Sequence, residues 1–118
     1  MNAKTYKDLT VWQKSMTLAK QVYALTSLLP SEEKFGIASQ LQRAAVSIPS
    51  NIAEGQQRNN IKEYRQFIGI AKGSGAELET QLLLVKDIYN LDCDQCLSLL
   101  TEVQKMLAML SKKLEPRT

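Results

Sequence analysis

Cys93 and Cys96 are the residues whose type and spacing come nearest to reactive chemistry. They form a C-x-x-C pair at a helix start, where the dipole lowers a thiol pKa. No strand-rich, thioredoxin-like context surrounds them, and zinc would need two further ligands, from a second subunit or from carboxylates. Both also fall on an apolar stripe, where free cysteine packs as a small hydrophobe. That packing role is the reading adopted. Glu54, Glu77 and Glu79 could do acid–base work, but ion pairing within or between bundles is the plainer role for them. Lys72-Gly73-Ser74 superficially resembles a phosphate loop, yet it lacks the upstream glycine and lies inside a helical pattern. The chain has no histidine, which excludes histidine-dependent triads and Glu-x-x-His di-iron sites. No residue is therefore assigned a catalytic, metal or cofactor-binding role, no cofactor is expected, and the chain reads as non-enzymatic.

The more informative residues are polar and periodic. Gln40, Arg43, Ser47, Asn51, Glu54 and Arg58 recur at spacings of three and four, opposite much of an apolar helical face. Ser74, Glu77 and Gln81 form a facing stripe, flanked by Ile70, Leu84 and Ile88. A carboxylate among apolar neighbours needs a partner, and arginine offers bidentate geometry; Arg43 is expected to pair with Glu77. The alternative is an ordinary solvated face, against which stands the short amide and hydroxyl content, since solvent faces carry more lysine and glutamate. Gln40, Arg43, Ser47, Asn51, Glu54, Glu77 and Gln81 are the candidate polar network or subunit interface.

Four helices must position these residues. The spacing predicts a first helix from about Leu9 to Leu28, with one stripe through Leu9, Trp12, Met16, Ala19, Tyr23 and Thr26. Val11, Leu18, Val22, Leu25 and Leu29 make a second stripe, so this helix has more than one neighbour. Pro30 ends it. A second helix is expected after Ser31 as N-cap, kinked at Pro49 and running to about Gly55. Asn60 with Glu63 resembles a capping box opening the third. There Tyr64, Ile68, Ala71, Gly75, Leu78, Leu82, Val85 and Tyr89 form an unbroken heptad seam, and Ala71, Gly73 and Gly75 would admit a close neighbour. Asp92 is expected to cap a fourth helix with its seam through Leu100, Val103, Leu107 and Leu110. Short connections imply an all-α, antiparallel, up-down-up-down four-helix bundle, one domain over 1–118.

Length and charge bound the partners. One domain fills 118 residues. No apolar run is long enough to span a bilayer, Met1–Lys14 lacks a secretory signal's apolar core, and two cysteines imply no disulfide framework. A cytoplasmic protein without a membrane partner is the expectation. The net charge of +3 is modest, but the fold would sort it. One end collects Lys4, Lys7, Arg58, Lys62, Arg65, Lys112, Lys113 and Arg117 against Asp8, Glu54, Glu63 and Glu115; the other holds Glu32, Glu33, Asp87, Asp92 and Asp94 against Lys34 and Lys86. Helix dipoles account for Glu32, Glu33, Asp92, Asp94, Lys112 and Lys113. They do not account for Lys4, Lys7, Lys62 and Arg65, which sit near helix N-termini, and these four argue for an anionic, phosphate-bearing partner. Lys4, Lys7, Arg58, Lys62, Arg65, Lys112 and Lys113 are the candidate nucleic-acid contacts.

Three stretches, Asp8–Lys14, Ser39–Gly55 and Gly73–Leu82, together resemble the bacterial four-helix-bundle family encoded in intervening sequences of large-subunit ribosomal RNA genes. A more distant relative of the same fold is the accessory variability protein of diversity-generating retroelements, a pentameric barrel that binds nucleic acid and its reverse transcriptase. The resemblance implies a homopentamer with a nucleic-acid-linked role, whose partners are further copies of itself and RNA or a nucleic-acid-processing protein, and it supplies no enzymatic activity. The family's polar pattern falls on Gln40, Arg43, Ser47, Asn51, Glu54, Glu77 and Gln81, leaving open whether they serve folding, assembly or binding. Gln42 stands where the family often has arginine. The non-nucleic-acid alternative is a protein-directed scaffold.

Overall fold

The computed structural model describes residues 5–116; the expected contact Lys4, like Arg117, lies outside them. Four α-helices follow one another: α1 Thr10–Thr26, α2 Ile37–Gln56, α3 Ile61–Tyr89 and α4 Asp94–Lys113. Short 3-10 turns at Tyr6–Asp8 and Ser31–Glu33 precede the first two. There are no strands among the described residues, and none of their helices is long and apolar enough to cross a membrane.

Each helix packs on its neighbours in sequence, and α1 closes the bundle against α4. The contact pairs run in opposite senses along adjacent helices. Between α2 and α3, Ser47 meets Ser74 while Gly55 lies against Phe67. Between α3 and α4, Gln104 donates to the Lys72 carbonyl and Arg65 to the Ser111 carbonyl. Lys14 reaches Glu102 across α1 and α4 at 2.6 Å.

The α3 seam is the spine of the core. Ile68, Ala71, Gly75, Leu78, Leu82 and Val85 are buried, with Tyr64 and Tyr89 half-buried at its ends. Leu18, Leu41, Ile48, Ile52, Leu100 and Leu107 pack into the same cluster. Of the two α1 stripes, the one through Val11, Leu18, Val22, Leu25 and Leu29 is buried, whereas Trp12 and Met16 are half-buried and Tyr23 is exposed.

Helix ends differ in places from the sequence expectation. Ser31 does not cap the second helix: Ser31–Glu33 winds a separate 3-10 turn, and α2 starts beyond Gly36 with no side-chain cap. Pro30 admits a tight turn, and Gly36, at φ −111° and ψ −120°, breaks the backbone path before a helix can propagate. Pro49 is buried within an uninterrupted α2. Asn60 accepts the Glu63 amide at 3.1 Å, one half of a capping box. Cys93, not Asp92, occupies the α4 N-cap position, although Asp92 still accepts the Asp94 amide at 3.0 Å. Asn90 ends α3 in the left-handed region at φ 54°, which asparagine tolerates better than most residues.

Two glycines permit close helix approach, and a third does not. A β-carbon on Gly55 would stand 2.8 Å from Phe67 Cβ and 3.2 Å from the Tyr64 carbonyl oxygen. At Gly75 the space is taken by the Gln104 side chain, 2.3 Å from such an atom. Gly73, expected to admit a neighbour, is exposed with nothing within 4 Å. Gly55→Ala is therefore expected to cost about 1–3 kcal/mol through overpacking. Gly73→Ala should gain about 0.5–1 kcal/mol, because alanine is the better helix former in open space. Urea titrations followed by circular dichroism, at equal protein concentration, check these opposite signs.

Candidate functional site

The two polar stripes meet between α2 and α3. Ser47 Oγ and Ser74 Oγ lie 2.8 Å apart, and Asn51 Nδ2 donates to the Ser47 carbonyl at 2.7 Å and to Ser47 Oγ at 2.9 Å. This short chain of polar groups ties the helices where serine and asparagine leave room for direct contact. Beside it, Gln40, Arg43, Ser47, Ser74, Glu77 and Gln81 line a cleft of about 430 Å³. Gln81 is 7% exposed, and its Oε1 is buried without a hydrogen-bond partner, which costs about 1–3 kcal/mol unless satisfied.

The expected Arg43–Glu77 pair does not form: both line the cleft, yet no ion pair within 4.0 Å joins them. Both side chains are exposed. In water such a pair gains about 0–1 kcal/mol at most, against the entropy of holding two long side chains still. Glu54 lies outside the cleft, paired at 2.8 Å with Arg58 just beyond the end of α2.

The basic residues do gather at one end. Arg65, in the second turn of α3, donates to the Ser111 carbonyl near the end of α4 at 3.2 Å and approaches Glu115 at 3.5 Å. Lys113 lines a surface depression with Leu9 and Thr10 at the start of α1. The Arg65 contacts correct its assignment as an unexplained cation. It serves the carbonyl end of a neighbouring helix, where positive charge is favoured. Arg58 is engaged as well, by Glu54 and by the face of Phe67 at 4.9 Å. Lys7, Lys62, Lys112 and Lys113 are exposed and make no ion pair among the described residues.

A model of the 23S rRNA-intervening sequence protein family matches residues 7–112, nearly the whole chain. The chain belongs to that family. Among solved structures, it is similar to a protein with unknown function from the S23 ribosomal protein family of Bacteroides thetaiotaomicron VPI-5482. The two superpose with a TM-score of 0.77 at 26% identity, covering 87% of this chain and 99% of that one. A search of curated proteins returned no match.

In this member of the intervening-sequence family, the thiols are core groups. Cys93 and Cys96 are free and buried, and Cys93 Sγ lies 3.6 Å from the Leu82 carbonyl oxygen. Burial raises the pKa of Cys93 and pushes that of Cys96 up to about 11, where the neighbouring thiol adds to the effect. The helix-start dipole does not overcome desolvation. Among the described residues, no three cysteine, aspartate or glutamate side chains converge as a metal would require.

Sequence reasoning missed an apolar groove between α1 and α2, about 590 Å³, lined by Trp12, Met16, Tyr23, Val46 and Pro49 among others. The signal was the aromatic and methionine content of the first α1 stripe, which has the same period as a core stripe and reads identically. The thiol geometry carries a pH prediction. With both pKa values raised by burial, the thiols are protonated at neutral pH, so a disulfide reagent should modify the native protein at pH 8 much more slowly than the urea-unfolded chain. Absorbance of the released thiolate monitors it. Native labelling at the unfolded rate would contradict the burial.

Proposed function

We propose that this protein is a non-enzymatic, homo-oligomeric interaction protein that engages RNA through the basic end of its bundle. The observation that supports it is the set of exposed cations Lys7, Lys62, Lys112 and Lys113, which make no ion pair among the described residues. Lys112 and Lys113 complement the end of α4. Lys62 stands in the first turn of α3, where the helix dipole opposes a cation. A residue placed against its local electrostatics fits a role toward an external anion.

Assembly multiplies this charge. A ring brings every copy's basic end onto one face, and each phosphate neutralised releases counterions, so affinity grows steeply with copy number. Five is the number that the resemblance to the accessory variability protein implies. The engagement of Arg58 and Arg65 within the fold favours a second reading. In that reading the protein is a scaffold for other proteins, and its charge serves solubility alone.

Binding of a fluorescently labelled single-stranded RNA, titrated from 50 to 300 mM salt, separates the two. Wild-type affinity should fall with salt at a slope of about 0.7 per phosphate contact. The double variant Lys7→Glu, Lys62→Glu should bind at least tenfold more weakly at low salt, with a flatter slope. Its fold should persist, because the Lys62→Glu change places an acid in a first helical turn. RNA binding equal to wild type would refute the basic-end reading, and no binding by the wild type at low salt would establish the scaffold.

A further inference from the structure

Two surfaces of this chain keep large apolar side chains only partly covered by the described residues. The first lies on α3, where Ile70, Ser74, Glu77, Gln81, Leu84 and Ile88 follow at intervals of four, three, four, three and four. This is a second heptad seam beside the buried one, and such a seam suits packing against another helix surface. Its apolar members Ile70, Leu84 and Ile88 are 51%, 47% and 66% exposed. Of the polar residues in its middle, Ser74 is bonded to Ser47 and Gln81 is buried, which leaves Glu77 as the exposed polar position that could set register with another helix.

The second surface is the groove between α1 and α2. Trp12, Met16, Tyr23 and Val46 line it, and Lys20 belongs to it as well. Its dimensions, about 590 Å³ along two helices, suit a row of aliphatic side chains from a third helix. The charges are complementary. Glu77 is exposed in the middle of the seam, Lys20 is exposed in the groove, and neither has an ion-pair partner within 4.0 Å among the described residues.

We propose that the exposed seam of α3 seats in the α1–α2 groove of a second copy, with Glu77 of one copy facing Lys20 of the next. This rests on the homo-oligomer reading and specifies its contact. Seam and groove are different surfaces on adjacent sides of the bundle, with α2 between them: Arg43 borders both the polar cleft and the depression beside Tyr23 and Val46. The contact is therefore heterologous. Each copy gives its seam to one neighbour and its groove to the other, and a closed ring follows when the rotation between neighbours divides a full turn.

Complementary variants test it. Val46→Lys damages the groove and Leu84→Lys damages the seam; both positions are exposed, and circular dichroism confirms folding. Each variant alone should run at the mass of a single chain by light scattering. Mixed in equal amounts, they should form a one-to-one dimer and nothing larger, because the intact seam of one fits the intact groove of the other while the second contact is doubly damaged. Ile88→Lys, at a more exposed seam position, should behave as Leu84→Lys does. Glu77→Lys should weaken wild-type assembly at least tenfold, and adding Lys20→Glu should restore it. Retention of the wild-type mass by the single variants, or a mixture that stays monomeric, would overturn the seam-in-groove contact while leaving an oligomeric wild type intact. A wild type that is itself monomeric would overturn the oligomer reading as well.

Discussion

Close packing of α2 on α3 is the constraint on which the remaining structure depends. Gly55 lets the helices approach until its Cα position lies against Phe67 and Tyr64, and the Ser47–Ser74 hydroxyl pair joins them further along. Small residues at both points replace what would otherwise be a layer of side chains. Ile48 and Ile52 of α2 share one fully buried core with Ile68, Leu78 and Leu82 of α3. The close approach sets the two polar stripes edge to edge, which is why a cleft exists between them at all. A larger residue at Gly55 would therefore disturb stability and cleft geometry together.

That geometry divides α3 into two working faces. One seam is consumed by its own bundle; the other, offset around the helix, stays outside with three large aliphatic side chains in water. Scattered exposed apolar residues need no explanation, but a row with helical register does. The polar cleft borders this row. Gln81 lies in line with this row but is itself buried, its Oε1 without a hydrogen-bond partner among the described residues. In the proposed contact, these polar groups beside the apolar row would restrict how a second copy is seated.

Much of the fold was legible because apolar period alone determines it. The eight-residue α3 seam needed no tertiary knowledge, and nor did the stripe on α2 from Gln40 to Arg58 or its juxtaposition with Ser74, Glu77 and Gln81. What escaped the sequence depended on distances between helices. Arg65 looked misplaced near a helix start until the end of α4 was found beside it. Arg43 and Glu77 have the right charges and share a cleft, yet solvent competes successfully with their pairing. Ser31 has the side chain of an N-cap, but Gly36 interrupts the backbone before α2 begins. The α1 groove was hidden because Trp12, Met16 and Tyr23 recur with the period of a core, and only packing reveals which of two apolar stripes the bundle leaves uncovered.

The proposed role rests on contact between copies of a bundle that buries one α3 seam and leaves the apolar residues of another exposed. The most direct measurement is the mass of the unmodified protein in solution, by light scattering on material purified without nuclease. Particles at a fixed multiple of the 13.3 kDa chain mass, five-fold for a pentamer, are the expected result. A single-chain mass at every concentration up to the millimolar range would contradict it.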